Sequence, residues 1–595
     1  MLIPFIIALV LPVCVLTTQH ALSVPGPVDN STAPFIFNSL ASLLAQWPNT
    51  YHANGHTIIT GVLEPFTLLY HARKDANLPP SPEWFAFDAE MSYGIMAGRG
   101  GQTYMLTYRN IRPTKIVYFD GMSASLSGTG WLDTQEVLIA GKGQNGEPDS
   151  IVWWDEYTRA DKLCKWAIPR GVEGIVRMNA GFEVLWCDFN SPAIQLVSHL
   201  NITPPGTPPS TPWVPPAPAP GPGPDRPGRE PGTGRGGPGS DRRRPGGPWG
   251  QLPPLSLSAS NEWLRAANHR SVFPQPHVSL DYSTFVTFYH PRLHSLVPSR
   301  VGQHMRQHRI WPNVSEADAH SVIHELDEVL RRPGWRNGWP FGTGMDWAAL
   351  ARDIVEEWAD RIDQLHEFLG NTTAEMDGGR WQTSNTTQAL ATVRRLAYSP
   401  LNPYMDTGST PNVSAWTLFF EMKLSPSSLL FPHWPLPYRV NTTALQRCTY
   451  SATGFLHYNP HLCMTSQEEL LQISIETIQE RLCTDFGTLF VESMGADDKL
   501  ELEEAQVLLQ NWETRIAALM DWLDWTEWMR CEEVCPRDSV CTMPLWPVVR
   551  WGNWPRGNST NEDDPSSWKP QCVSLVPMER WPGPGRRDTW DDLYR

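Results

Sequence analysis

The residues of this chain best suited to chemistry are carboxylates interleaved with indole rings. Asp75, Glu83, Asp88, Glu90, Asp120, Asp133, Glu136, Asp155, Glu183 and Asp188 share one stretch with Trp84, Trp131, Trp153, Trp154 and Trp186. Two carboxyl groups facing each other about 5 Å or about 6.5–9.5 Å apart can cleave a glycosidic bond. Amphipathic aromatic rings beside them would suit a sugar. The set is a candidate glycan site whose distances only a structure can supply.

Histidine is the second group. Eight of the 17 histidines fall between positions 269 and 324, including the i,i+4 pairs His290/His294, His304/His308 and His320/His324. On a helix that spacing points both rings one way, as metal sites require. Only His320/His324 lies in a convincing helical segment, and Glu325 does not reproduce the His-Glu-x-x-His order. These read as surface histidines, with no metal expected.

Cysteine is the third. Ten are present, and Cys14 lies in a segment expected to be removed. Cys164 and Cys187 form a natural pair, while Cys531, Cys535 and Cys541 are tightly spaced with no histidine near enough for a zinc knuckle. In an oxidising compartment these are disulfide candidates, with one cysteine of the remaining nine left over.

Two resemblances add to this. Leu68-Leu69-Tyr70-His71, Glu83–Asp88 with Ser92-Tyr93, and Gln135-Glu136-Val137-Leu138-Ile139 follow one another in an order that resembles ADP-ribosyltransferases. The resemblance implies that His71 bonds the nicotinamide-side ribose and Tyr93 stacks on nicotinamide. Glu136, on a late strand, would anchor the ribose 2′-OH and stabilise developing positive charge, with NAD as cofactor. Ala72 and the direct Gln135-Glu136 step depart from the family's pattern. Separately, Glu83–Tyr93, Tyr118-Phe119-Asp120-Gly121 and the run from Arg177 to Phe189 (RMNAGFEVLWCDF) resemble elements of a class of secreted, uncharacterised fungal proteins. That likeness implies export and a two-part architecture.

The compartment follows from the first residues. Leu2–Leu16 is an almost unbroken apolar run, followed by Ala21-Leu22-Ser23, the layout of a secretory signal over residues 1–23. No later stretch reaches the roughly 18 apolar residues of a membrane span. Eight Asn-x-Ser/Thr sequons, at Asn30, Asn201, Asn313, Asn371, Asn385, Asn412, Asn441 and Asn558, mark an N-glycoprotein behind such a signal. The net charge of -16 argues against nucleic acid, whose phosphates need Lys and Arg. Of the 28 Trp, most stand at helical spacing or beside Pro and read as packing.

The elements that must position these residues divide at 203–254, a Pro/Gly-rich segment expected to be a disordered linker, with Arg242-Arg243-Arg244 as a possible processing site. Before it, residues 24–202 form an α+β domain. An amphipathic helix carries Phe37, Leu40, Leu44 and Trp47, and β-like runs include Thr57–Thr60, Lys115–Phe119, Val137–Ala140 and Gly174–Met178. After it, residues 255–595 form a mainly α-helical, disulfide-stapled domain with a Trp/Pro-rich tail. Trp347, Leu350, Ile354, Trp358, Ile362, Leu365 and Leu369 make one apolar face. Ser466 with Glu469 forms a capping box, and a long helix runs over Asp497–Arg530. The functional expectation is a secreted, N-glycosylated protein of unknown molecular function with a binding or surface-associated role, a glycan or cell-wall polymer being a candidate partner. Its alternatives are a divergent ADP-ribosyltransferase-like enzyme and a carbohydrate-active or glycan-binding protein.

Overall fold

The structure is a computed structural model. It describes residues 32–205, 254–406, 412–422, 442–543 and 569–574, less short internal stretches such as 98–100, 127–129, 144–154, 270–276 and 333–341. The signal-like run, the linker with Arg242–Arg244, and most of the tail lie outside the described residues.

A ten-stranded sheet organises the molecule. Its strands are β1 (Thr57–Leu63), β2 (Leu68–Arg73), β3 (Glu83–Ala86), β4 (Tyr104–Asn110), β5 (Thr114–Phe119), β6 (Gly174–Met178), β7 (Phe182–Trp186), β8 (Ile194–Asn201), β9 (Val278–Leu280) and β10 (Val286–Thr287). The order is β10-β1-β5-β6-β7-β3-β2-β4-β8, with β9 also on β1. Among the described strands only β5 and β6 run parallel. β9 and β10 come from beyond the linker, so the sheet is completed by chain from its far side.

Side chains alternate between the two faces of each strand, and two cores result. Ile59, Ile116, Tyr118, Val176, Val184 and Trp186 join one core together with Trp47 and the C-terminal helices. Ile58, Val117, Ile175 and Leu185 join the other, covered by α3 (Asp133–Ala140), α4 (Glu156–Ala167) and α6 (Glu316–Arg331). Cys164 of α4 is bonded to Cys187 at the end of β7, which staples the cover to the sheet. On the first face, α2 (Ala89–Ala97) packs on β2 and α5 (Pro254–His269) packs on α2.

The helical part comprises α7 (Trp347–Asp377), α8 (Thr383–Leu401), α9 (Ala444–Thr449), α10 (Ser466–Gly495) and α11 (Leu502–Leu523). The apolar face from Trp347 to Leu369 is buried along α7, with Leu350 at its margin. The N-terminal helix α1 (Ala33–Ala41) inserts here, against α7 and α10. Asn38 donates to the Leu523 carbonyl at 2.8 Å, and Arg352 donates to the Ala41 and Leu43 carbonyls. Packing therefore crosses the compositional divide at 203–254 in both directions.

Four expectations are corrected. Val137–Ala140 is helical: it belongs to α3, which Gly141 closes at φ 71°, because Val137 and Leu138 are needed against the second core. The capping box is Thr465 with Glu468, one residue earlier than expected. Glu468 also accepts from Thr343 N and Trp347 Nε1, which fixes that register. The last long helix stops at Leu523, where Asp524 turns left-handed at φ 47° and accepts from Met305 N. No free cysteine stands among the described residues: Cys448–Cys483, Cys531–Cys541 and Cys535–Cys572 are bonded, and so is Cys463.

Candidate acid and arginine cleft

β6 and β7 place Arg177 directly across from Glu183, both on the face covered by α3 and α4. The guanidinium is almost fully buried and three groups converge on it. Its Nη2 lies 2.6 Å from Glu183 Oε1 and 2.5 Å from Glu156 Oε1, and its Nη1 donates to Gln135 Oε1 at 2.9 Å. Glu156, in the first turn of α4, also pairs with Arg159, whose Nε reaches Glu136 Oε1 of α3 at 2.7 Å. Three carboxylates thus surround two guanidiniums.

The arrangement is layered. Arg177 and Arg159 expose 1% and 2% of their side chains, whereas Glu183, Glu156 and Glu136 expose 10%, 16% and 19%. The guanidiniums lie deepest, and the carboxylates keep the small exposure that remains. Burial pushes the Glu183 carboxyl up to about 6, with Arg177 opposing and Glu156 adding to the rise.

A second acid is reached from the same helix. Glu83, on β3, accepts from the Tyr157 hydroxyl at 3.2 Å. Burial pushes its carboxyl up to about 7, against the pull of that hydrogen bond. The Tyr157 ring is 64% exposed and meets Trp84 edge-on at 4.9 Å. The first turn of α4 therefore serves both parts, Glu156 reaching Arg177 and Tyr157 reaching Glu83. Charged hydrogen-bonding groups near an exposed aromatic ring are the chemistry that suits a polyhydroxylated ligand.

The residues named from the transferase resemblance lie elsewhere or apart. His71 of β2 points to the opposite face, its ring against Phe85 and Phe189 and its Nδ1 2.7 Å from the Trp84 carbonyl. Burial pushes its imidazole down to about 4. Tyr93 sits on α2, which packs over β2 on that same side. Glu136 sits on α3, across the sheet. His71 and Glu136 therefore stand on opposite faces of the sheet.

Other candidates fall as follows. Trp131 and Trp186 are buried, Trp84 is half-buried, and Trp153 and Trp154 lie outside the described residues. His320 and His324 are exposed on α6. Asn201, Asn313, Asn371 and Asn412 are exposed and Asn385 is half-buried, while Asn30, Asn441 and Asn558 lie outside the described residues. Sequence reasoning missed Glu156, Tyr157 and Arg159. The cue was present in Asp155, which caps α4 by accepting from Thr158 N and so fixes where the helix that carries these residues begins.

Residues 24–102 and 97–210 match the family of the YPL277C N-terminal domain. Every residue of the cleft falls within that match. The chain is 34% identical over 223 residues to "Uncharacterized protein YPL277C" of Saccharomyces cerevisiae, covering 30% of this chain and 44% of the relative. It is 34% identical over 221 residues to "Uncharacterized protein YOR389W" of the same yeast, covering 30% and 34%. The chain thus spans less than half the length of either relative. No solved structure matches it.

Proposed function

We propose that this is an exported, N-glycosylated binding protein whose ligand site is the acid and arginine cleft, and that the ligand is a glycan or cell-wall polymer. The observation carrying this reading is that the first turn of α4 sets an exposed Tyr157 on Glu83 and, one residue earlier, Glu156 on the buried Arg177. A sugar offers what such a site needs: an apolar face for the ring and hydroxyls for the charged groups. Export is supported by the apolar run at Leu2–Leu16 and by the disulfides. Among the described residues no helix is long and apolar enough to cross a membrane.

The test is a glycan array with the full chain, followed by titration of any bound oligosaccharide. Tyr157→Ala should weaken binding at least tenfold. Binding unchanged in Tyr157→Ala and in Glu183→Gln would overturn the assignment of this cleft.

A hydrolytic version of the site has one observation in its favour. The Glu83 carboxyl, held up to about 7, retains its proton near neutrality as a general acid must. It predicts release of reducing ends that fades as pH rises above 7.

A further inference from the structure

Histidine rings gather where the start of β1 meets the chain that follows β10. His56 directly precedes β1, whose Thr57 and Ile58 pair with Thr287 and Val286 of β10. Its carbonyl accepts from Phe288 N at 2.9 Å, so the residue stands at the end of that short ladder. Tyr289 stacks on its ring at 4.9 Å, and His308 lies 5.7 Å from Tyr289 and 6.4 Å from His56. Phe35 of α1 meets His308 edge-on at 4.5 Å. His56, Tyr289 and His308 are all buried, which corrects the surface position expected for His308 from its spacing with His304.

These rings are set apart by how little holds them. None of the four ring nitrogens of His56 and His308 closes a hydrogen bond among the described residues. Only backbone lies toward them, that of His308 beside His56 and that of Gln303 beside His308. The charges that face the pair come from both halves of the chain. Arg300 lies over the Tyr289 ring at 4.8 Å and donates to the Phe288 carbonyl, and Arg309 faces His56. Asp524 faces His308 from the end of α11, but its carboxylate accepts from His304 and Met305 N. Asp120 accepts from Thr57 N, and His52, with Arg306 facing it, lies 3.1 Å from the Asp524 carbonyl. Burial, with Arg300 adding, pushes the His308 imidazole down to about 3. Burial also holds that of His56 well below its ordinary value, with His308, Arg300 and Arg309 adding.

We propose that these rings form an acid-sensitive latch: neutral, they let β10 and the chain after it close on β1, and protonated, they drive that segment away. A proton taken up by His56 or His308 in the closed state makes a buried cation beside arginines, with no carboxylate bonded to it. In the open segment the same ring titrates in water near 6.5. A base held below its ordinary value contributes stability that is whole above 6.5 and is lost as pH falls, down to about 3 for His308. Two groups work the other way. Burial pushes the Asp120 carboxyl up to about 7, so acid favours its closed form. The hydrogen bond to Asp524 raises His304, which acid therefore also holds closed. The latch is read by removing its two rings while those groups stay in place.

The experiment follows backbone hydrogen exchange in the full chain at pH 7 and pH 4, each corrected for the intrinsic rate. In the wild-type chain, peptides over residues 282–300 should open at least about tenfold more often at pH 4. Peptides over β6 and β7 are the control and should not change. The double variant His56→Phe/His308→Phe keeps both rings and removes their protons, so the rise over 282–300 should vanish. The wild-type comparison decides by itself where that variant does not fold. Exchange over 282–300 indifferent to acid, an equal rise over β6 and β7, or a rise that survives in the double variant overturns the latch.

Discussion

Asp133, at the start of α3, and Glu183, on the strand beneath that helix, are both buried acids facing an arginine, and they are satisfied very differently. Asp133 accepts from Arg309 Nε and Nη2 at 3.0 and 3.1 Å and from the backbone N–H groups of Ile310 and Trp311 at 3.0 Å each. Glu183 shares its single guanidinium with Glu156, and Arg177 Nε has no partner among the described residues. A fully satisfied pair is a fastener; here it ties the start of α3 to the segment beyond the linker. A half-satisfied cluster keeps a buried donor without a partner, which is the pattern that marks a candidate functional site. The contrast separates structure from candidate function without reference to residue type.

Four experiments would break or sharpen that contrast. Asp133→Ala should have the largest effect, because it leaves Arg309 and two backbone donors unpaired. We expect a loss of about 3–5 kcal/mol in denaturant unfolding. A cost below that of Glu183→Gln would erase the distinction.

Glu83→Gln should act in the opposite direction. The folded carboxyl is held up to about 7 against an ordinary value of 4.5. The stability this acid contributes is therefore fully present at pH below 4.5 and lost as pH rises through 7. The loss corresponds to about 3 kcal/mol. The glutamine cannot ionise and its carbonyl can still accept from Tyr157, so the variant should be more stable than wild type at pH 8. Parallel unfolding curves at pH 4 and pH 8 read this directly; identical pH slopes for variant and wild type would refute it.

Tyr157→Phe should cost less than about 1 kcal/mol, since it removes one hydroxyl at a partly exposed site. It should keep the ring contact and lower ligand affinity less than Tyr157→Ala does. A larger loss of fold than of binding would reassign Tyr157 to the fasteners. The smallest effect is expected from cutting the chain at a protease site engineered between residues 206 and 253. The fragments should elute together in gel filtration, held by β9 and β10 on β1 and by α1 among the helices. Separation of the fragments at micromolar concentration would count against the shared core.

Much of the framework was legible because local pattern and tertiary role agreed. Lys115–Phe119 and Gly174–Met178 alternate as strands should, and the Trp347–Leu369 stripe repeats at helical spacing. The Cys164–Cys187 pair followed from compartment and position. What failed were the places where a distant partner decides. Val137–Ala140 is rich in β-formers, yet a neighbouring core takes it as helix. Glu468 wins the capping position through Thr343 and Trp347, more than a hundred residues away. The cleft was half visible: Arg177, Glu183 and Glu136 were singled out, but only the α4 cap at Asp155 brings Glu156 and Tyr157 to meet them.

The strands from beyond the linker also set a timetable. β1 emerges from the ribosome with one side destined for β5 and the other for β9 and β10, which end at Thr287. Roughly 230 residues separate the two in the chain, so at about 5–20 residues per second that side waits on the order of 10–50 s. For that interval the nascent chain carries an unpaired strand edge, the surface on which wrong partners are most readily templated. A chaperone meeting the nascent chain would find its clearest target there, before the far half exists.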